Sequence, residues 1–157
     1  MANLKEIKTG MTETAKFINE NFEKLNDNAL NVLSKGFWYM NGQTTIKPSK
    51  TIMDCKTGWL LQWEATTDGA TKAGASYHYY HVPKAVVMAE GAGSGGGSVP
   101  IPLFAVTGGQ IGSDVNSILK TVYVSNTGIT GHSNNSLEKD ANGKGTRHWV
   151  MTAVYEY

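Results

Sequence analysis

A single cysteine, few charges and no long apolar run bound what this 157-residue chain can be. With Cys55 alone, an internal disulfide framework is excluded, and the fold must hold by packing or by assembly with other chains. Fourteen Lys and Arg stand against thirteen Asp and Glu, a net charge of +1. No strong field gathers polyanions, so nucleic acid is not expected as a partner. The longest apolar stretch, Val99 to Val106, is about eight residues and is broken by Pro100 and Pro102, against roughly 20 for a helical membrane span. The opening MANLKEIKTG carries Lys5, Glu6 and Lys8 and no continuous apolar segment, so neither a secretory signal nor membrane insertion is expected. No repeat with a period of roughly 20 to 50 residues is detectable.

Glycine and large flat rings are plentiful: 18 Gly, four Trp and seven Tyr. That profile suits a turn-rich β protein, whose pleated faces are filled by rings. One segment breaks the pattern. In GMTETAKFINENFEKLN and its continuation, Met11, Ala15, Ile18, Phe22, Leu25, Ala29 and Val32 follow a 4-3-4-3-4-3 spacing, three heptads with an apolar seam. Thr12 or Thr14 supplies an N-cap, Glu13 suits the positive end of the dipole, and Lys35 with Gly36 closes the far end. The spacing predicts a helix over 12–34. Five asparagines, at 19, 21, 26, 28 and 31, weaken it, and Glu20 with Lys24 is its one favourable i,i+4 pair. Such a helix draws its stability from packing, on its own domain or on copies of itself. Its polar face is mainly Asn, Glu and Thr, which disfavours a membrane surface.

Two segments result: 1–36, helical and suited to attachment or oligomerisation, and 37–157, a β head. Phe37-Trp38-Tyr39-Met40 before Asn41-Gly42 reads as an aromatic hinge and turn, with a β region from Thr44 to Ile46. In WLLQWEA, Trp59, Leu61, Trp63 and Ala65 alternate with Leu60, Gln62 and Glu64, a strand with an indole-rich inner face; Thr66 to Ala75 is its loop. In SYHYYHV, Tyr77, Tyr79 and His81 face one way and His78, Tyr80 and Val82 the other. One face is core, and the other is an interface or a ligand surface. Further strands are expected over 102–106, 120–125 and 148–157, the last with Trp149, Met151, Ala153, Tyr155 and Tyr157 on one side. Loops 91–98, 108–117 and 131–145 carry no core character, and recognition usually resides in such loops.

No catalytic constellation emerges. The glycine run at 91–98 lacks the Lys-Ser/Thr and the strand-to-helix context of a phosphate cradle. His78 and His81 fall on opposite faces of a strand, so no metal site within one chain and no cofactor is expected from them, while a site shared between chains on a symmetry axis, with one ligand from each, stays open. Cys55 has no identifiable base and reads as a packed thiol. Neither a G-x-S-x-G elbow nor H-E-x-x-H occurs, and sequence pairs no two carboxylates across a cleft. Rings beside hydrogen-bonding side chains suit saccharide binding, and Trp63, Tyr77, Tyr79, Tyr80, His132, Asn134 and Asn135 have that chemistry. The plainer reading of most of these rings is core or subunit interface. For His132, Asn134 and Asn135 the ligand reading is stronger, because a polar loop has no core to fill.

The opening Gly10-Met11, Ala15, Ile18-Asn19, Asn21-Phe22, Leu25-Asn26 resembles the N-terminus of small tail and baseplate proteins of phages infecting Gram-positive bacteria. SKTIMDCKTGWLLQW, YHYYHVPKA, VYVSNTGITGHSNNS and VMTAVYEY resemble the C-terminal half of such proteins. The resemblance implies a homotrimer, with a short helical stem on the tail tip and a β-sandwich or jelly-roll-like head meeting the host surface. Its location would be the virion tail tip or baseplate, after synthesis in the host cytoplasm. Its partners would be other baseplate proteins and a host cell-wall saccharide or teichoic-acid-type polymer. No long neck is evident between helix and head, which leaves adsorption and baseplate building both open. The competing readings are a cell-wall-active hydrolase head and a free lectin-like module whose helix folds back on its own sheet.

Overall fold

The ring-and-polar alternation of WLLQWEA forms a strand, and its two neighbours in the sheet are the next strand along the chain and the last one. The computed structural model describes residues 11–26, 30–66, 71–88, 97–104, 106–107, 110–111, 118–136 and 148–157. It holds a helix α1 (Met11–Asn26) and strands β1 (Val32–Trp38), β2 (Thr45–Ile46), β3 (Gly58–Thr66) and β4 (Lys72–Pro83). A one-turn α2 (Ala85–Met88) follows, then β5 (Gly97–Leu103), β6 (Val106–Thr107), β7 (Gln110–Ile111), β8 (Ile118–Val124), β9 (Ile129–Gly131) and β10 (Trp149–Glu156). Short 3₁₀ turns lie at Ile52–Asp54 and Ser133–Ser136.

The protein is mainly β, with two antiparallel four-stranded sheets. Sheet A has the order β1-β10-β3-β4 and sheet B the order β2-β9-β8-β5, while β6 and β7 form a separate ribbon. Both sheets feed one apolar cluster. Sheet A contributes Trp59, Leu61, Trp63, Val82, Trp149, Met151 and Val154; sheet B contributes Ile46, Val99, Ile101, Leu103, Ile118, Val122, Val124 and Ile129. Burying each large apolar side chain contributes roughly 1.5–3 kcal/mol, which makes this cluster the main source of stability. On β4, Val82 is buried and Tyr80 packs against the cluster, whereas Tyr77, Tyr79 and His81 are exposed, as the alternation predicts. Cys55 is buried in the same cluster, its Sγ donating to Thr51 O at 3.2 Å, and burial pushes its thiol pKa up.

Two residues inside this core are not apolar. Lys120 takes an inward position on β8, fully buried, and its Nζ donates to the carbonyls of Tyr39, Asn135 and Trp149 at 2.9, 3.0 and 2.5 Å. Asn135 donates through Nδ2 to Met40 O at 2.7 Å and Thr121 O at 2.6 Å, and its Oδ1 accepts from Thr121 N at 3.1 Å. Together they hold the corner at Tyr39–Met40, where the chain leaves β1 of sheet A for β2 of sheet B. Met40 sits there at φ 58, a left-handed conformation that side chains other than glycine rarely adopt. Across from it, a Cβ at Gly131 would lie 1.7 Å from Met40 O, so only glycine lets β9 approach this corner.

Several expectations are corrected. The described helix is Met11–Asn26, and it cannot run to Ser34, because Val32 opens β1 opposite Tyr155 rather than extending the helical seam. The residues that follow, VLSKGFW, carry the β-branched and aromatic side chains of a strand, which outweigh a heptad position. Phe37 and Trp38 belong to this strand, and the turn begins after them. The chain divides into compact units Met1–Asn31 and Val32–Tyr157. Strand β4 starts at Lys72, inside the expected loop 66–75, and β5 covers Gly97–Leu103 rather than 102–106. Gly97 and Ser98, read as the end of the glycine loop, are therefore strand residues. The short β9 was not anticipated. On β10 the inward side switches: Met151 pairs with Trp63, the next ladder pair is Ala153 with Gln62, and Thr152 is the extra residue of a β-bulge. Trp149, Met151 and Val154 thus face the core, while Ala153 and Tyr155 face outward.

On α1 by itself, Ala15, Ile18 and Phe22 are exposed, Phe22 by 65%. The side chains of Met11 and Leu25 and the whole of Ala29 lie outside the described residues, as do 67–70, 91–96, 108–109, 112–117 and 137–147 of the loops.

Candidate functional site

The outward face of sheet A follows directly from strand register. Lys35 lies opposite Ala153, Ala153 opposite Gln62 and Gln62 opposite Tyr79, which makes one row across four strands. Val150, Glu64 and Tyr77 form the next row, and Val32, Tyr155, Leu60 and His81 the one on the other side. Directly opposed residues share a face, so these side chains are neighbours. The small Ala153 lies at the centre, and the larger groups around it leave an open groove of about 840 Å³. Strand β1 lines it with Lys35, Gly36 and Phe37, β3 with Gln62 and Glu64, β4 with Gly74 and Tyr77, and β10 with Thr152, Ala153 and Tyr155. Such a volume lies inside the roughly 300–1,000 Å³ of small-ligand pockets.

The groove's polar groups are held in place from below. Glu64 is 4% exposed, and its Oε1 accepts from Gly74 N at 3.1 Å. Tyr155 donates its hydroxyl to Gln62 Oε1 at 2.5 Å. Burial, and then the neighbouring Tyr79, push the Tyr155 pKa above the usual phenol value, so it stays a protonated donor. With Oε1 engaged, Gln62 has its amide N–H pair to offer a ligand. Thr152 is 4% exposed, and its Oγ1 is buried with no hydrogen-bond partner. Lys35 is exposed and Tyr77 is 46% exposed. The groove therefore combines rings with a carboxyl, an amide and a hydroxyl, the mixture that grips a polyhydroxylated ring.

Of the seven residues that the sequence nominated, only Tyr77 lines the groove. Tyr79 is exposed on the same face, paired with Gln62. Trp63 is fully buried in the core and Tyr80 packs against it, so neither presents its ring to a ligand; both follow the inward phase of their strands. His132, Asn134 and Asn135 lie at the turn after β9, in sheet B. The backbone N–H of Asn134 donates to His132 Nδ1 at 3.1 Å, so that ring closes its own turn, 5.9 Å from the Tyr123 ring. Asn135 is buried and does have a core to fill, as the partner of Lys120. The polarity of the loop concealed an inward-pointing amide.

No family model, curated protein or solved structure matches this chain.

Lys35, Gln62, Glu64, Thr152 and Tyr155 were not nominated. The signal for Gln62 and Glu64 was present, since they alternate with the inward indoles of WLLQWEA. For Thr152 there was none, because a bulge is invisible in strand alternation. His78 and His81 do point to opposite faces. His78 Nε2 lies 2.6 Å from Phe104 O and its ring meets Trp149 edge-on at 5.0 Å, while the His81 ring lies 4.7 Å from that of Tyr157. Among the described residues, no group of three or more His, Cys, Asp or Glu gathers at metal-binding distance.

Proposed function

We propose that this chain is a structural protein of a phage tail or baseplate that adheres to the wall of a Gram-positive host by recognising a saccharide. The groove across the outward face of sheet A carries the reading: rings and hydrogen-bonding groups from four strands converge there, away from the shared core. Two antiparallel sheets over one apolar cluster are compatible with a sandwich-like head, and the tail-protein resemblance of residues 10–26 and of the later segments supplies the setting. Trimerisation is part of the same proposal, through α1 rather than through the outward face of sheet A, which carries the groove. Ala15, Ile18 and Phe22 are exposed on the isolated chain, and a repeated apolar seam gains stability when copies meet.

Fluorescently labelled full-length protein should bind intact Gram-positive cells, and purified wall polysaccharide should compete. Tyr77→Ala should weaken binding about tenfold, the scale of one lost aromatic anchor of ~1.4 kcal/mol. Absence of binding to any wall preparation would remove the adhesion reading. Native mass in solution should correspond to three chains, and Phe22→Asp should lower it to one while the β signature in circular dichroism persists. A wild-type monomer at high protein concentration would remove the stem.

A further inference from the structure

The buried Lys120 is fully engaged by backbone carbonyls, and the outward Pro102–Leu119 patch of sheet B has nothing to say what covers it. Thr152, in contrast, lines the groove at the bulge of β10 and carries a buried hydroxyl without a partner. A buried hydroxyl without a partner is costly, and β-bulges often re-aim side chains at functional sites.

We infer that the sheet A groove seats an uncharged pyranose unit, with Thr152 Oγ1 and Glu64 hydrogen-bonding its hydroxyls, and that it does not seat a polyol phosphate. This rests on the saccharide reading above and narrows its ligand. Two polar side chains that line the groove, Glu64 and Thr152, are each 4% exposed, so the polar floor is built into the fold. Glu64 accepts from Gly74 N through Oε1 only, among its described bonds, and a carboxyl group accepts further hydrogens from sugar hydroxyls. A phosphate has only acceptors at its charged oxygens and would meet that carboxyl at close range with like charge. Lys35, the one cation lining the groove among the described residues, is exposed to water, where its attraction is screened. Tyr77 and Phe37 supply ring surface for the apolar side of a pyranose.

Thr152→Val separates a ligand contact from a structural one. Valine keeps the shape and removes a hydroxyl that bonds nothing in the protein, so the thermal midpoint should be unchanged or higher. A ligand contact predicts a loss of sugar affinity in that same protein. The measurement is saturation-transfer NMR on the full chain with methyl glucoside, methyl galactoside, N-acetylglucosamine, glycerol 1-phosphate and ribitol 5-phosphate. At least one pyranose should receive saturation and both polyol phosphates none. Thr152→Val and Glu64→Gln should each weaken that pyranose about tenfold, the scale of one hydrogen bond. Pyranose binding unchanged in both variants, no pyranose binding, or saturation of the polyol phosphates alone would overturn the inference. If cell binding by the wild type persists under those outcomes, wall adhesion stands and only this seat falls. If the wild type binds no wall preparation, the adhesion reading falls with it.

Discussion

Replacing Lys120 by Met should destabilise the protein by about 2–4 kcal/mol, because the carbonyls of Tyr39, Asn135 and Trp149 each lose a buried donor. Methionine matches the length of the side chain and avoids the cost of burying an amine, so the net loss is smaller than three full hydrogen bonds. The damage should be concentrated at the Tyr39–Met40 corner, where hydrogen exchange should rise first. Denaturant unfolding with an unchanged m-value measures the loss. A stability within about 0.5 kcal/mol of wild type would mean that desolvation of the amine cancels what its hydrogen bonds contribute. Because Asn135 holds the same corner, Lys120→Met and Asn135→Leu should be non-additive in a double-mutant cycle.

The second large effect is a dependence of stability on pH. Burial pulls the Lys120 pKa from 10.5 down to about 7. The three carbonyls act in the opposite sense, since they accept from the ammonium form, and a neutral amine keeps only two N–H donors for them. Between pH 7 and 10.5 the unfolded chain holds a proton that the folded chain lacks, so stability rises with pH across that window and is flat below it. Two groups oppose this at the alkaline end. Cys55 is raised above 9.0 and Tyr155 above 10.0, chiefly by burial, so above those values the unfolded chain loses their protons first and stability falls. The cleanest interval is therefore pH 7 to 9, over which unfolding free energy should increase by about 2 kcal/mol. Lys120→Met should flatten the curve. A wild-type curve already flat over this interval would show that the carbonyls keep the ammonium charged. The surface pair Lys50–Glu156 should add little, since exposed ion pairs are worth about 0–1 kcal/mol.

Both predictions concern a residue that no pattern in the chain distinguished. SILKTVYVS reads as a strand, and a lysine between Leu119 and Thr121 is ordinarily placed on the wet side. Its inward phase becomes evident only when Val122 and Val124 are seen in the core and Lys120 is counted two residues back on the same face. Asn135 was misread for a related reason. Polar loops are usually solvated, but a backbone corner with open carbonyls is itself a polar environment that an amide can fill. The bulge at Thr152 had the opposite effect: it turned Ala153 and Tyr155 outward into the groove, where strict alternation had put them with Trp149 and Met151.

Sequence alone was enough for the parts of this protein governed by short-range periodicity. The β-rich class, the helix near its start, the inward indoles of β3 and the two ring-bearing faces of β4 follow from side chains alternating at period two or recurring near 3.6, because the local backbone sets those directions. What depends on where distant strands meet was decided by the tertiary structure. The pairing of Val32 with Tyr155, the tie from Lys120 of sheet B to Trp149 of sheet A, and the groove assembled from β1, β3, β4 and β10 all rest on contacts between segments far apart in the chain. Register and bulges set those contacts, and a one-residue shift in either exchanges the two faces of a strand.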